Sequence, residues 1–296
     1  VIECAPPAAR CAAEWQDRLR RAANGLELDR YHRYWLRDGS AGPEDVTTTE
    51  LYGVTSIIGC LDKSGPLSSW AARVQYETDE LAAYRLYENG LPDGLALAHF
   101  QTLFRIETGG PGAFRAHRDA AADLGEALHA LVEHRVKQML GLDEPHPEAS
   151  DEALQLFTVW ERWAREVRLE PYAVEFPVLD REQRVAGTVD LLGRVDGRVA
   201  QVDWKTGADI YAAAHLQSAA YRWLMRRMGV TDTLVPGVIV RLPKQEGEGV
   251  HAVWTDPARD EELIEVFLAL CRVYPWKREE DRKSLAQWKA RRAVAR

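Results

Sequence analysis

Four cysteines occur among the 296 residues, Cys4, Cys11, Cys60 and Cys271, and no two of them stand at C-x-x-C spacing. Neither a zinc ribbon nor a dithiol redox motif is therefore indicated. The chain lacks any apolar run approaching the roughly 18–20 residues that a membrane span needs, and no charged-then-apolar leader opens it. The expectation is a cytoplasmic protein without membrane association. A basic excess is missing as well, since the formal net charge is −8. That disfavours passive binding of a polyanion, but an acidic enzyme can still confine its basic residues to a groove.

What is present suits a soluble globular protein: 46% of residues are hydrophobic and 28% charged, enough to bury a substantial core. Basic residues cluster at two places. Arg18, Arg20, Arg21, Arg30, Arg33 and Arg37 crowd the N-terminal part, and Lys277, Arg278, Arg282, Lys283, Lys289, Arg291, Arg292 and Arg296 dominate the tail. Each cluster is either a phosphate-tracking surface or a solvated helix face.

The most informative stretch runs from Gly187 to Gly207, GTVDLLGRVDGRVAQVDWKTG. Asp196-Gly197 is a strong hairpin signal, because a type I′ turn needs positive φ at both central positions. If Val195 pairs with Arg198, Asp190 falls opposite Asp203 and Thr188 opposite Lys205. Directly opposed side chains share a face with Cβ atoms roughly 4.5–5.5 Å apart. Two carboxylates held that way repel unless something offsets the charge, and a divalent cation does so most simply. Alternation puts Gln201, Asp203 and Lys205 on one face of the second strand and Val202 and Trp204 on the other. Two aspartates beside a lysine supply the parts for phosphodiester hydrolysis. The carboxylates hold Mg²⁺ or Mn²⁺, and the ammonium orients a water or stabilises developing negative charge.

Around this hairpin the periodicity predicts further elements. Residues 8–24 have helical composition, stopped by Asn24-Gly25; 37–50 read as a loop; GVTSIIGCL from Gly53 is a short strand or a helix start. Helices are predicted over 68–88 and 93–106, with a linker at 108–112. His117–Leu140 forms a helix with an apolar stripe of Leu124, Leu128, Leu131, Val132, Val136 and Met139. Gly125, His129 and Glu133 lie along its flank, where a lone histidine is ordinarily a packed or surface residue. His117 and His134 are expected on the surface. Ser150 caps the next helix, with Trp160 and Trp163 in the core. The strand YAVEFPVLD follows, and the facing of its Glu175 is left open. After Gly207 a helix over 209–228 sets Gln217 and Tyr221 one turn apart. Two strands, a helix over 257–273 and a basic helix from Trp276 complete the chain.

The run GTVD, VDWKTG and LQSAAY resembles motifs II, III and IV of the RecB-like branch of the PD-(D/E)xK nucleases, the family of phage, CRISPR-adaptation and mitochondrial-maintenance exonucleases. V-T-x-I followed by a helix with Trp70 is loosely similar to their opening region. The resemblance implies an α/β fold, a restriction-endonuclease-like core with a central mixed β-sheet flanked by helices, plus a mostly helical N-terminal region. The expected division is 1–112 for that region, 113–275 for the nuclease core and 276–296 for a basic C-terminal helix that could clamp nucleic acid. The resemblance also implies roles. Asp190, Asp203 and Lys205 would be catalytic; His129, which matches a G-x-x-x-H helix, would ligate metal with Asp190, Asp203 and the backbone carbonyl of Trp204. Glu175 is a further candidate ligand, and Gln217 and Tyr221 would contact the substrate strand and steady the lysine.

Several relatives clamp an iron-sulfur cluster with one upstream cysteine and a C-terminal trio. Only Cys271 lies downstream here, so no cluster is expected. The expected activity is a Mg²⁺- or Mn²⁺-dependent deoxyribonuclease, an exonuclease on single-stranded DNA or DNA ends in bacterial or phage repair and recombination. A structure- or sequence-selective endonuclease with the same residues, or a nucleic-acid-binding subunit of a repair or CRISPR-adaptation assembly, are the alternatives. No G-x-x-x-x-G-K-[ST] run is present, so unwinding would come from a helicase or other repair partner.

Overall fold

The computed structural model describes residues 8–31, 33–38, 47–61, 64–88, 97–108, 113–142, 144–207, 209–231, 234–245 and 247–294. The chain divides into two compact units, 61–127 and the combination of 1–60 with 128–296. The expected division at 112 and 275 partitions the chain differently. In the smaller unit, helices α3 (Ser64–Glu88) and α4 (Leu97–Thr108) pack together, and Ala82 and Leu86 of α3 are buried. The linker expected at 108–112 lies outside the described residues apart from Thr108, as do Asn89-Gly90 and the side chains of Trp70 and His117.

The larger unit is built on an eight-stranded mixed sheet. Its centre is the hairpin of β5 (Val185–Val195) and β6 (Arg198–Lys205). Asp196 and Gly197 have φ of 54° and 79°, as a type I′ turn requires, and Val195 pairs with Arg198. Strand β4 (Glu170–Asp180) runs antiparallel along one edge of β5, from Val185 to Arg194. Beyond β6 lie β7 (Gly237–Arg241), parallel to it, and β8 (His251–Trp254).

Three strands occupy the N-terminal region. These are β1 (Leu26–Leu28), β2 (Tyr34–Asp38) and β3 (Thr47–Gly53), an antiparallel meander whose last strand joins β5 in parallel. The loop reading of 37–50 is corrected at both ends: Arg37 and Asp38 close β2, and the β-branched run from Thr47 opens β3. The chain then enters helix α2 (Val54–Ile58), whose Val54, Ile57 and Ile58 are buried.

Helices cover the sheet. Helix α1 (Ala8–Ala22) contacts β4, and Gly25 at φ 83° follows it. From Leu128 onward, α5 (Ala113–Met139) buries Leu128, Leu131, Val132 and Val136, leaving Met139 exposed. Helix α6 (Asp151–Glu166) is capped by Ser150, whose hydroxyl accepts from the Ala153 amide. Trp160 and Trp163 on it meet Trp204 edge-on, while Gln201 and Lys205 bond to α7 (Ala212–Arg227). The alternation along β6 therefore sorts its apolar and polar residues onto opposite helices. Helix α8 (Asp260–Val294) is continuous through Pro275, so the basic helix expected from Trp276 is its second half. Among the described residues no helix is long and apolar enough to cross a membrane.

Helix α7 is locked by a buried polar network. The Arg222 guanidinium donates to both oxygens of Asp260, at 2.7 and 2.6 Å, and to the carbonyls of Ser218 and Val235. Removing one member of such a pair strands a buried charge. Arg222→Ala is expected to cost about 3–5 kcal/mol in urea unfolding, and Asp260→Asn less, because an amide keeps part of the network.

Candidate active site

On the edge of β5 away from β4, β3 pairs only with Val185 and Ala186, and β6 only with Leu191 to Val195. Among the described residues, 187–190 have no ladder partner on that edge. The β5–β6 register is the one the hairpin predicts, but pairing stops at Leu191–Val202, one step before Asp190 and Asp203. Instead the Asp190 Oδ2 reaches across and accepts the Trp204 amide hydrogen at 2.8 Å. A side chain here replaces a main-chain partner.

A cleft of about 650 Å³ opens at this gap. Gly187, Thr188 and Asp190 line it from β5, Glu175 and Pro177 from β4, Glu133 from α5, and Gln217 and Tyr221 from α7. Its remaining wall comes from Leu26, Leu28 and Tyr34 of the meander and from Gly53 to Ser56. Gly187 is required by close approach, since a β-carbon there would meet the Tyr221 ring at 2.6 Å.

Ligating atoms of His129, Glu175 and Asp190 all lie within 4.8 Å of one another, and His129 Nε2 is 3.7 Å from Asp190 Oδ2. Glu175 earns its place through backbone strain: its φ is 45°, inside a strand, and costs on the order of 1–2 kcal/mol for an L-residue. Val174 and Phe176 pair with Leu191 and Val189 on either side, so the kinked residue sits at the level of Asp190.

Asp203 falls outside that three-residue cluster. It is fully buried, and among the described residues neither of its oxygens finds a well-formed hydrogen bond; Oδ2 meets the Lys205 ammonium, at 2.5 Å. Glu175 Oε1 is likewise buried without a partner among the described residues. Such orphaned oxygens are costly in a finished interior, and they are the donor type that hard divalent cations take. The residues present therefore fit a divalent metal. Lys205 Nζ also donates to Gln217 Oε1 at 3.1 Å, and Gln217 Nε2 donates to the Tyr221 hydroxyl at 3.0 Å.

The electrostatics follow from burial. Desolvation, reinforced by the Asp190 charge, pushes Glu175 up to about 8. Burial also raises Asp203, with Lys205 opposing and Asp190 adding to the shift. For His129 burial favours the neutral ring, but the Asp190 carboxylate 3.7 Å away, with the charges of Glu175 and Glu133, outweighs it and raises the pKa. Burial raises the Tyr221 hydroxyl far above its usual range, so it stays protonated.

The structure brings His129, Glu175 and Asp190 into one cluster and links Asp203, Lys205, Gln217 and Tyr221 beside it, with two further residues to which the sequence assigned no role. Tyr34 bonds Thr188 across the cleft, Oη to Oγ1 at 2.9 Å, and Glu133 lines it. The signal for Tyr34 was the short aromatic run YWL, which lay beside a segment read as loop. His134 is corrected: it is buried, with Nε2 bonded to Gln138 and its ring edge-on to His146. Cys60 and Cys271 are free thiols.

Residues 97–291 match the family model of the PD-(D/E)XK nuclease superfamily. No curated protein matches the chain significantly.

The raised Glu175 pKa has a sign that can be measured. A carboxyl with a folded-state pKa above its unfolded one adds stability below about pH 4.5, and that contribution is lost as pH rises through about 8. In chelator the melting temperature is expected to fall across this window. Glu175→Gln should flatten the slope, and added Mn²⁺ should raise the melting temperature most at the alkaline end.

Proposed function

The chain belongs to the PD-(D/E)XK nuclease superfamily, a family of metal-dependent nucleases, and we propose that it is a RecB-like exonuclease acting on single-stranded DNA or DNA ends. The observation that carries this reading is the convergence of His129, Glu175, Asp190, Asp203 and Lys205 at the unpaired edge of β5. His129, Glu175, Asp190 and Asp203, with the Trp204 carbonyl, would hold Mg²⁺ or Mn²⁺. Such an ion, when bound, supplies a Lewis acid and lowers the pKa of a water.

The chain's own groups handle orientation. Lys205 uses one ammonium hydrogen on Gln217 and faces Asp203 with another. The third is left for the attacking water or for a phosphate oxygen that gains charge in the transition state. Tyr221 acts as a positioning residue: by accepting from the Gln217 amide nitrogen, its hydroxyl keeps the amide oxygen turned toward Lys205. The cleft falls in the size range of small-ligand pockets, about 300–1,000 Å³, which suits an extended strand end better than an intact duplex. A duplex substrate would then be opened by a helicase or another repair partner.

In Mn²⁺ the parent is expected to shorten end-labelled single-stranded DNA progressively. Asp203→Asn and Lys205→Ala should each be slower by at least about 100-fold. Equal rates for all three would reject the assignment. Cutting of a covalently closed circle at the linear rate would replace the exonuclease reading with the endonuclease one.

A further inference from the structure

We propose that the β1–β2 turn, with Tyr31 at its tip and Arg30 and Arg33 beside it, is a base-stacking post that receives the single-stranded end of DNA at the rim of the cleft. The proposal rests on the nuclease reading for the identity of the strand. It goes beyond that reading by assigning a substrate-binding element upstream of the family match, which begins at residue 97.

Placement comes first. Leu28 and Tyr34 pair with each other and both line the cleft. The turn springs directly from that pair and is closed by the Asp29 amide donating to the Arg33 carbonyl at 2.9 Å. Three residues of chain reach at most about 11 Å, so Tyr31 cannot lie far from the rim.

Its chemistry comes next. Tyr31 is 62% exposed. The Arg30 guanidinium lies 4.7 Å and that of Arg33 5.3 Å from its ring centroid. Arg30 donates to the Tyr31 hydroxyl at 2.7 Å, and among the described residues no carboxylate pairs with it. An exposed ring beside the Arg30 guanidinium offers aromatic surface to a base and positive charge to a neighbouring phosphate, while Arg33 is engaged by Asp29.

Preorganisation completes the case. One carboxylate, Asp29, accepts from the amides of Tyr31 and Arg33, from Arg33 Nε and from Trp35 Nε1. These four bonds tie Tyr31, Arg33 and Trp35 to one carboxylate and leave Tyr31 exposed. A stacking platform binds more tightly when its ordering is already done.

The test uses the full chain and a 12-residue single-stranded oligonucleotide with 2-aminopurine at its end, in Ca²⁺ so that binding is read apart from hydrolysis. The parent and Tyr31→Phe are expected to quench the 2-aminopurine equally. Tyr31→Ala should lose the quench and bind about tenfold more weakly, the effect of one lost stacking contact. Arg30→Gln should lower the slope of log affinity against log salt by roughly 0.7. Parent-like quenching and affinity in Tyr31→Ala overturn the assignment, and so does a parent that binds no oligonucleotide. Tyr31-dependent binding without hydrolysis in Mn²⁺ sustains it and counts instead against the nuclease reading.

Discussion

The architecture turns on one substitution of partners, in which the Asp190 carboxylate takes the Trp204 amide that β-sheet pairing would otherwise have engaged. Strands β5 and β6 are held together up to Leu191–Val202 and then released from each other, while β3 closes the far end of the same edge at Val185 and Ala186. The gap between is four residues long. Every group of the candidate site looks into it or lies at its margin. Were the ladder to continue, Asp190 and Asp203 would be zipped against each other and the cleft would be sealed by backbone.

Such an opening is expensive, and the expense is concentrated in a few residues. Glu175 holds a left-handed backbone inside a strand, Asp203 is sealed from solvent with oxygens that lack proper donors, and Gly187 forgoes a side chain so that Tyr221 can press on the strand. Backbone strain and orphaned oxygens of this kind cost stability. They persist because the surroundings are over-determined: β4 grips β5 along almost its whole length, and Arg222 with Asp260 pins the helix that delivers Gln217 and Tyr221. Strain at the centre is thus sustained by rigidity at the flanks.

How much of this could be read in advance depended on the range of the interaction. The Asp196-Gly197 turn is local chemistry, and from it the register and the nearness of Asp190, Asp203 and Lys205 followed by counting. The stripe on α5 and the one-turn spacing of Gln217 and Tyr221 were legible for the same reason. Glu175 was not, because alternation says nothing about a residue whose φ leaves the β region. Strands β1 to β3 were obscured because short polar strands such as TTTELYG look like loop until a neighbour pairs with them. His134 had been placed on the surface by type, yet the segment carrying His146 covers it. Separate helices were expected on either side of Pro275, but a helix packed on the N-terminal side of a proline tolerates one missing donor.

That last feature shapes the end of the molecule. Around Pro275, α8 is fastened to β3 by Tyr274 against Tyr52 and by Arg278 bonded to Glu50. Past Arg278 nearly every side chain faces solvent, and the ion pairs recorded there, such as Arg282 with Glu279 and Lys283 with Glu280, stay within the helix. Fifteen or so residues therefore project as a cantilever hinged near a turn that lacks one amide donor. Because its bracing is ionic and local, rising salt should loosen this arm long before it disturbs the sheet, so that a protease could trim the arm and leave the catalytic body whole.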